Sequence, residues 1–123
     1  MKTSFLQIAL ALFALSFSKP AYAETEIIHL DAAGAAALLA KDKEVVVLDV
    51  RTKDENADGH IAGALNIDYN GPDFAQKAKK LLDPTVPILV HCAVGGRSTA
   101  ALAQLKPLGF ARIYHLDGGF NDW

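Results

Sequence analysis

Short apolar runs alternate with polar, helix-forming stretches along most of this chain. Residues 27–30 (IIHL) form the first run, and Asp31 stands where it can cap a helix over 32–40, weakened only by Gly34. Residues 45–50 (VVVLDV) are continuous and β-branched rather than alternating, which predicts a central strand buried on both faces. Residues 54–63 are polar and end in Gly59-His60-Ile61-Ala62-Gly63, a predicted loop before a short strand over 64–68. Pro72 suits a helix start, and 73–82 carry the helical pattern. A second buried strand follows at 88–91, then a turn at Gly95-Gly96, then a helix over 98–106 stopped before Pro107. Residues 113–116 make the last core strand, followed by Asp117-Gly118-Gly119. This alternation predicts one α/β domain with a mostly parallel central sheet, flanked by helices through right-handed crossovers. Ligand sites in such sheets lie beyond the carboxyl ends of strands, and the single cysteine, Cys92, falls at such an end.

The start of the chain has a different character. Lys2 precedes residues 5–17 (FLQIALALFALSF), 13 residues interrupted only by Gln7 and Ser16, followed by Pro20 and the small-x-small Ala21-Tyr22-Ala23. That is the layout of an export signal over residues 1–23, cleaved after Ala23. The run is shorter than the roughly 20 apolar residues a spanning helix needs, so no membrane attachment is expected after cleavage. The expected mature domain is 24–123, and no repeat or linker divides it.

Composition narrows the choice of function. The hydrophobic fraction is 51% and the charged fraction 21%, both ordinary for a folded domain. One cysteine excludes an intrachain disulfide framework and any Cys-rich zinc or iron–sulfur centre. The net charge is −2, and −4 over 24–123 once Lys2 and Lys19 are removed, so no nucleic-acid partner is expected. Lys77, Lys79 and Lys80 read as a solvated helix face. An anion bound here must be held by local groups.

Those groups converge after the second buried strand. In Cys92-Ala93-Val94-Gly95-Gly96-Arg97-Ser98 the glycines allow a sharp bend with inward N–H groups, and the following helix points its positive end at the same spot. Arg97 adds a fixed positive charge. A cysteine so placed has a depressed pKa and reacts as a thiolate.

The motif Cys92-x-x-Gly95-x-Arg97-Ser98 after an apolar strand resembles the active loop of the rhodanese sulfurtransferases. Leu48-Asp49-Val50-Arg51 resembles that family's strand-end DVR. Glu55 through Gly59-His60-Ile61-x-Gly63-Ala64-x-Asn66-Ile67 is similar to its E…GHIxGAxNI segment, and Leu116-Asp117-Gly118-Gly119-Phe120-x-x-Trp123 to its LxGGxxxW terminus. The likeness runs from about Ile27 to Trp123, and a single domain behind a signal is similar to the small periplasmic rhodaneses of bacteria. The resemblance implies a periplasmic thiosulfate sulfurtransferase with Cys92 as catalytic nucleophile. Residues Ala93, Val94, Gly95, Gly96, Arg97 and Ser98 are implied as the cradle of a persulfide. It implies small-molecule substrates (thiosulfate, with cyanide or a thiol as acceptor), a possible protein thiol acceptor, and neither metal nor organic cofactor. A monomer is expected. The alternative is a sulfur-carrier or partner-binding module whose donor and acceptor are proteins or polysulfides. Phosphatases and arsenate reductases of related fold carry one residue more between cysteine and arginine than the four here, and so a wider cradle. Three positions depart from the family pattern: Asn56 stands where an aromatic residue is frequent, and Ala93 and Val94 are apolar where polar or basic residues are common.

The remaining candidates read as structure. Asp49 and Arg51 are expected to form an ion pair that fixes the following loop. His60 is expected to be hydrogen-bonded in its loop, and His91 to face away from the thiol because strand neighbours point to opposite sides. His29 and His115 show no metal-ligand spacing with each other or with Cys92.

Overall fold

The apolar runs become five strands: β1 (Glu26–Leu30), β2 (Val46–Asp49), β3 (Leu65–Asn66), β4 (Ile88–His91) and β5 (Arg112–Leu116). In the computed structural model, which describes residues 24–123, they form one sheet ordered β1-β5-β4-β2-β3 with every pairing parallel. The expected signal at residues 1–23 lies outside the described residues. Among the described residues no helix is long and apolar enough to cross a membrane.

Five helices connect or follow the strands: α1 (Ala32–Lys41), α2 (Lys53–Asp58), α3 (Phe74–Leu81), α4 (Gly96–Leu105) and α5 (Gly119–Asp122). A 3-10 turn, Lys106–Leu108, takes in Pro107 where the α-helix stops. α1 starts as expected, with the Gly34 N–H donating to the Asp31 carboxylate at 2.8 Å. α3 starts after Pro72 rather than on it: Asp73 takes a left-handed conformation (φ 57°) and the helix begins at Phe74.

α2 corrects the expected loop. Apart from Ala57 its residues are polar, and none is buried, so hydrophobic periodicity gives no sign of it. What forms it is a capping box: the Glu55 N–H donates to Thr52 Oγ1 (3.1 Å) and the Thr52 N–H donates to Glu55 Oε1 (3.0 Å). The Thr-x-x-Glu signature is present in the sequence, and β3, at one edge of the sheet, is only two residues long.

Strand alternation divides the core. Leu48, Val50, Ile88, Val90 and Cys92 face one side, where α3 supplies Phe74 and Ala78 and α4 supplies Ala101, Leu102 and Leu105. Val47, Leu89 and Leu116 face the other, with Ala35 and Ile61 and, from α5, the half-buried Phe120. All four residues of β4 are buried, as a strand with covered faces and two paired neighbours requires. Each large aliphatic side chain so placed contributes about 2 kcal/mol by leaving water. β4 is thereby the most constrained strand, and Cys92 follows it directly.

Candidate active site

Cys92 is 1% exposed. Its sulfur accepts the Gly95 N–H at 3.0 Å and lies 3.3 Å from Ser98 Oγ. α4 has no side-chain cap on its first turn. The sulfur takes that place, receiving donors that a capping Ser or Asp would otherwise engage. Burial alone pushes the thiol up. The Ser98 hydroxyl and the N–H groups of Ser98, Gly95 and Val94 outweigh it, holding Cys92 below the ordinary thiol value of 9.0.

The six residues expected as a cradle play unequal parts. Gly95 and Ser98 touch the sulfur. Val94 contributes its N–H and leaves its side chain 66% exposed at the mouth of the site. Ala93 turns its carbonyl to the Asn121 N–H (3.0 Å). Gly96 opens α4. A side chain at Gly95 would run into the Asp117 carbonyl, so only glycine fits there.

Arg97 is not free to receive an anion with its whole charge. Its guanidinium makes a bidentate pair with Glu55, at 2.7 and 2.9 Å. Arg97 and the Thr52 N–H hold the Glu55 carboxyl down at about 2, against an ordinary 4.5. A lowered folded-state pKa means the pair stabilises the fold fully above pH 4.5 and loses that contribution as pH falls toward 2. In an NMR titration the Glu55 carboxyl is expected to show a midpoint near 2, moving back toward 4.5 in Arg97→Gln. A midpoint near 4.5 in the unaltered chain would show that the pair does not form. Glu55 is the site residue that chemistry-by-residue-type missed: it is 42 positions from Arg97, and only the family's motif drew attention to it.

Behind the loop lies a buried polar stack. Arg51 donates to both Asp49 oxygens (2.9 and 2.7 Å) and to the carbonyls of Gly59 (2.8 Å) and Glu55 (3.4 Å), so the pair does fix this loop. Asn56 fills out the same carboxylate, donating to Asp49 Oδ2 at 2.9 Å. Here it replaces aromatic packing with a hydrogen bond. Burial pushes the Asp49 carboxyl up, and the bonds from Arg51 and Asn56 bring it below its ordinary value. Arg51 lies 4.2 Å over the Phe120 ring, whose centroid is 6.0 Å from that of His91. His91 is on the face opposite the thiol, as expected, but is fully buried, and its Nδ1–H donates to the Cys92 carbonyl at 2.9 Å. Burial keeps it neutral. The Phe120 N–H donates to the same carbonyl at 2.8 Å, so the loop is pinned from two sides. Gly119 permits that approach: it has φ 68°, and a Cβ there would enter the Ala93 carbonyl group. His60 donates from Nδ1 to the Asn56 carbonyl at 2.9 Å, a structural bond.

One grouping escaped linear spacing. β1 and β5 pair in parallel with His29 opposite His115, and each imidazole Nδ1 lies 2.6 Å from Asp117 Oδ1. His115 Nε2 lies 2.8 Å from Ser98 Oγ. The two histidines are 86 positions apart, so only the strand register could have revealed the group.

A helix-capped thiol at the carboxyl end of a parallel sheet agrees with what comparison shows: the profile of the Rhodanese-like domain matches residues 31–123. The fold and loop therefore define a rhodanese-like domain, and the chain belongs to that family. It is 39% identical over 84 residues to "Thiosulfate sulfurtransferase GlpE" of Pseudomonas fluorescens (strain SBW25), covering 68% of this chain and 73% of that protein. It is 34% identical over 109 residues to "Thiosulfate sulfurtransferase 18" of Arabidopsis thaliana, covering 80% and 79%. The solved rhodanese-related protein of Thermoplasma volcanium superposes with a TM-score of 0.65 at 31% identity, over 78% of this chain and 89% of that one. With these relatives, the chain is a sulfurtransferase of the rhodanese type.

Proposed function

We propose that this chain is an exported thiosulfate sulfurtransferase that works through a persulfide on Cys92. The observation that carries the reading is the sulfur itself, at the head of α4 with the Gly95 N–H at 3.0 Å and its pKa lowered. The Cys92 thiolate attacks the outer sulfur of thiosulfate. A new S–S bond forms, the S–S bond of thiosulfate breaks, and sulfite leaves with that electron pair. Cyanide then attacks the outer persulfide sulfur, thiocyanate departs, and the thiolate returns. This is covalent catalysis in two half-reactions. The inward N–H groups that favour the thiolate also favour the terminal anionic sulfur of the persulfide, a case of fixed donors aimed at charge. Arg97, neutralised by Glu55, acts chiefly by holding the loop's shape. The two relatives, both thiosulfate sulfurtransferases by name, support thiosulfate as donor. Export rests on the residue pattern of 1–23, and the place is then the periplasm.

The test is the mass of the purified chain before and after thiosulfate. We expect a gain of one sulfur, lost on adding cyanide, and a starting mass that shows cleavage after Ala23. A reduced, intact Cys92 with no adduct would overturn the persulfide. Hydrolysis of an aryl phosphate faster than sulfur transfer would overturn the reaction class.

A further inference from the structure

The group formed by His29, His115 and Asp117 has no part in the mechanism above. We infer that these three residues form a binding site for a divalent transition-metal ion of the Zn2+ type, beside the Cys92 loop.

Three observations carry this. First, the donors converge. Parallel pairing sets His29 against His115, with ring centroids 5.4 Å apart, and both Nδ1 atoms lie 2.6 Å from one carboxylate oxygen of Asp117. All three ligand atoms lie within 4.8 Å of one another. Around a tetrahedral Zn2+ with bonds of roughly 2.0–2.2 Å, donor atoms sit about 3.3 Å apart, so each nitrogen–oxygen separation of 2.6 Å must open by about 0.7 Å. Two imidazoles and one carboxylate are a borderline N,N,O set that suits Zn2+, and three protein ligands leave a position open. Second, the site is half-built into the fold. His115 is 2% exposed and rigid in β5, while the side chains of His29 and Asp117 are each 54% exposed, leaving an approach from solvent. Third, the far nitrogen of His115 is engaged: Nε2 meets Ser98 Oγ at 2.8 Å. Metal-bound imidazoles characteristically have such a partner on the other ring nitrogen.

The same bond couples the ion to the thiol. Ser98 Oγ has one hydrogen and three neighbours, His115 Nε2, the Gly95 carbonyl (3.2 Å) and Cys92 Sγ (3.3 Å). When a neutral His115 donates from Nδ1 to Asp117, its Nε2 is an acceptor and competes with the sulfur for that hydrogen. An ion on Nδ1 leaves the ring proton on Nε2. His115 then donates to Ser98, and the Ser98 hydrogen has one competitor fewer, left to the Gly95 carbonyl and Cys92 Sγ. Metal binding thus favours the Ser98 orientation that stabilises the thiolate.

The test is calorimetric titration of the purified chain with zinc chloride, repeated with His29→Ala, Asp117→Asn and Cys92→Ser. We expect one ion per chain, affinity lowered at least about tenfold in both ligand variants, and binding retained in Cys92→Ser. His29 and Asp117 are half exposed, and circular dichroism will show that both variants fold. Absence of heat, an isotherm unaltered by His29→Ala in the folded variant, or binding lost only in Cys92→Ser would each overturn the site. None of these outcomes depends on sulfur transfer, so this inference and the proposed function fail separately.

Discussion

Cys92→Ser is expected to lower thiosulfate–cyanide turnover at least about a thousandfold, to the level of the reaction without protein, while leaving the fold intact. The substitution exchanges one small buried atom for another, and the hydroxyl keeps the Gly95 donor. What it loses is ionisation. The donors around Cys92 bring a thiol from its ordinary 9.0 to a lower value. An alcohol starts so far above that range that the same donors leave it protonated and non-nucleophilic. The check has two parts: steady-state turnover, and the mass gain on thiosulfate, which should vanish with it. Turnover within about tenfold of the unaltered chain would place the reacting group elsewhere.

The second large effect is on the scaffold. Gly119→Ala is expected to destabilise the domain by about 3 kcal/mol and to reduce sulfur transfer as well. Gly119 is far from Cys92 in sequence, yet its missing side chain lets Phe120 and Asn121 donate to the carbonyls of Cys92 and Ala93 at 2.8 and 3.0 Å. A methyl group would occupy the space of the Ala93 carbonyl and press on the Val94 nitrogen, 2.7 Å away. Gly63→Ala is the matched control. Gly63 has a similar φ of 79° but nothing within 4 Å of an added Cβ, so it should cost only the backbone conformational penalty, about 1 kcal/mol. Urea unfolding of both variants separates conformation from collision. Equal losses would mean that the C-terminal segment does not clamp the loop.

The sequence made the strands plain where burial dictated composition. Residues 88–91 coincide with β4, and 45–50 bracket β2, because strands covered on both faces must be apolar throughout. Cys92 was legible for a related reason: a helix start after a strand end is a local event written in consecutive residues. The hydrophobic pattern is silent on α2, since it buries nothing; only the Thr52-x-x-Glu55 capping box marks its start. Glu55, Asn56 and His91 act through partners fixed only by the tertiary arrangement. His91 was correctly placed on the opposite face by alternation, but its bond to the Cys92 carbonyl depends on the bend of the chain after β4. The His29–His115 pair is the extreme case, since it exists only through the register of two strands from opposite ends of the domain.

The all-parallel sheet also fixes how this domain presents itself to anything joined through residue 24. β1 starts at the amino end of the sheet and runs five residues toward the carboxyl end, a rise of about 16 Å. Cys92 lies at that carboxyl end. A segment leading into Glu24 therefore attaches on the pole opposite the thiol. The first described residues and the buried thiol therefore stand at opposite ends of the sheet, one strand length apart.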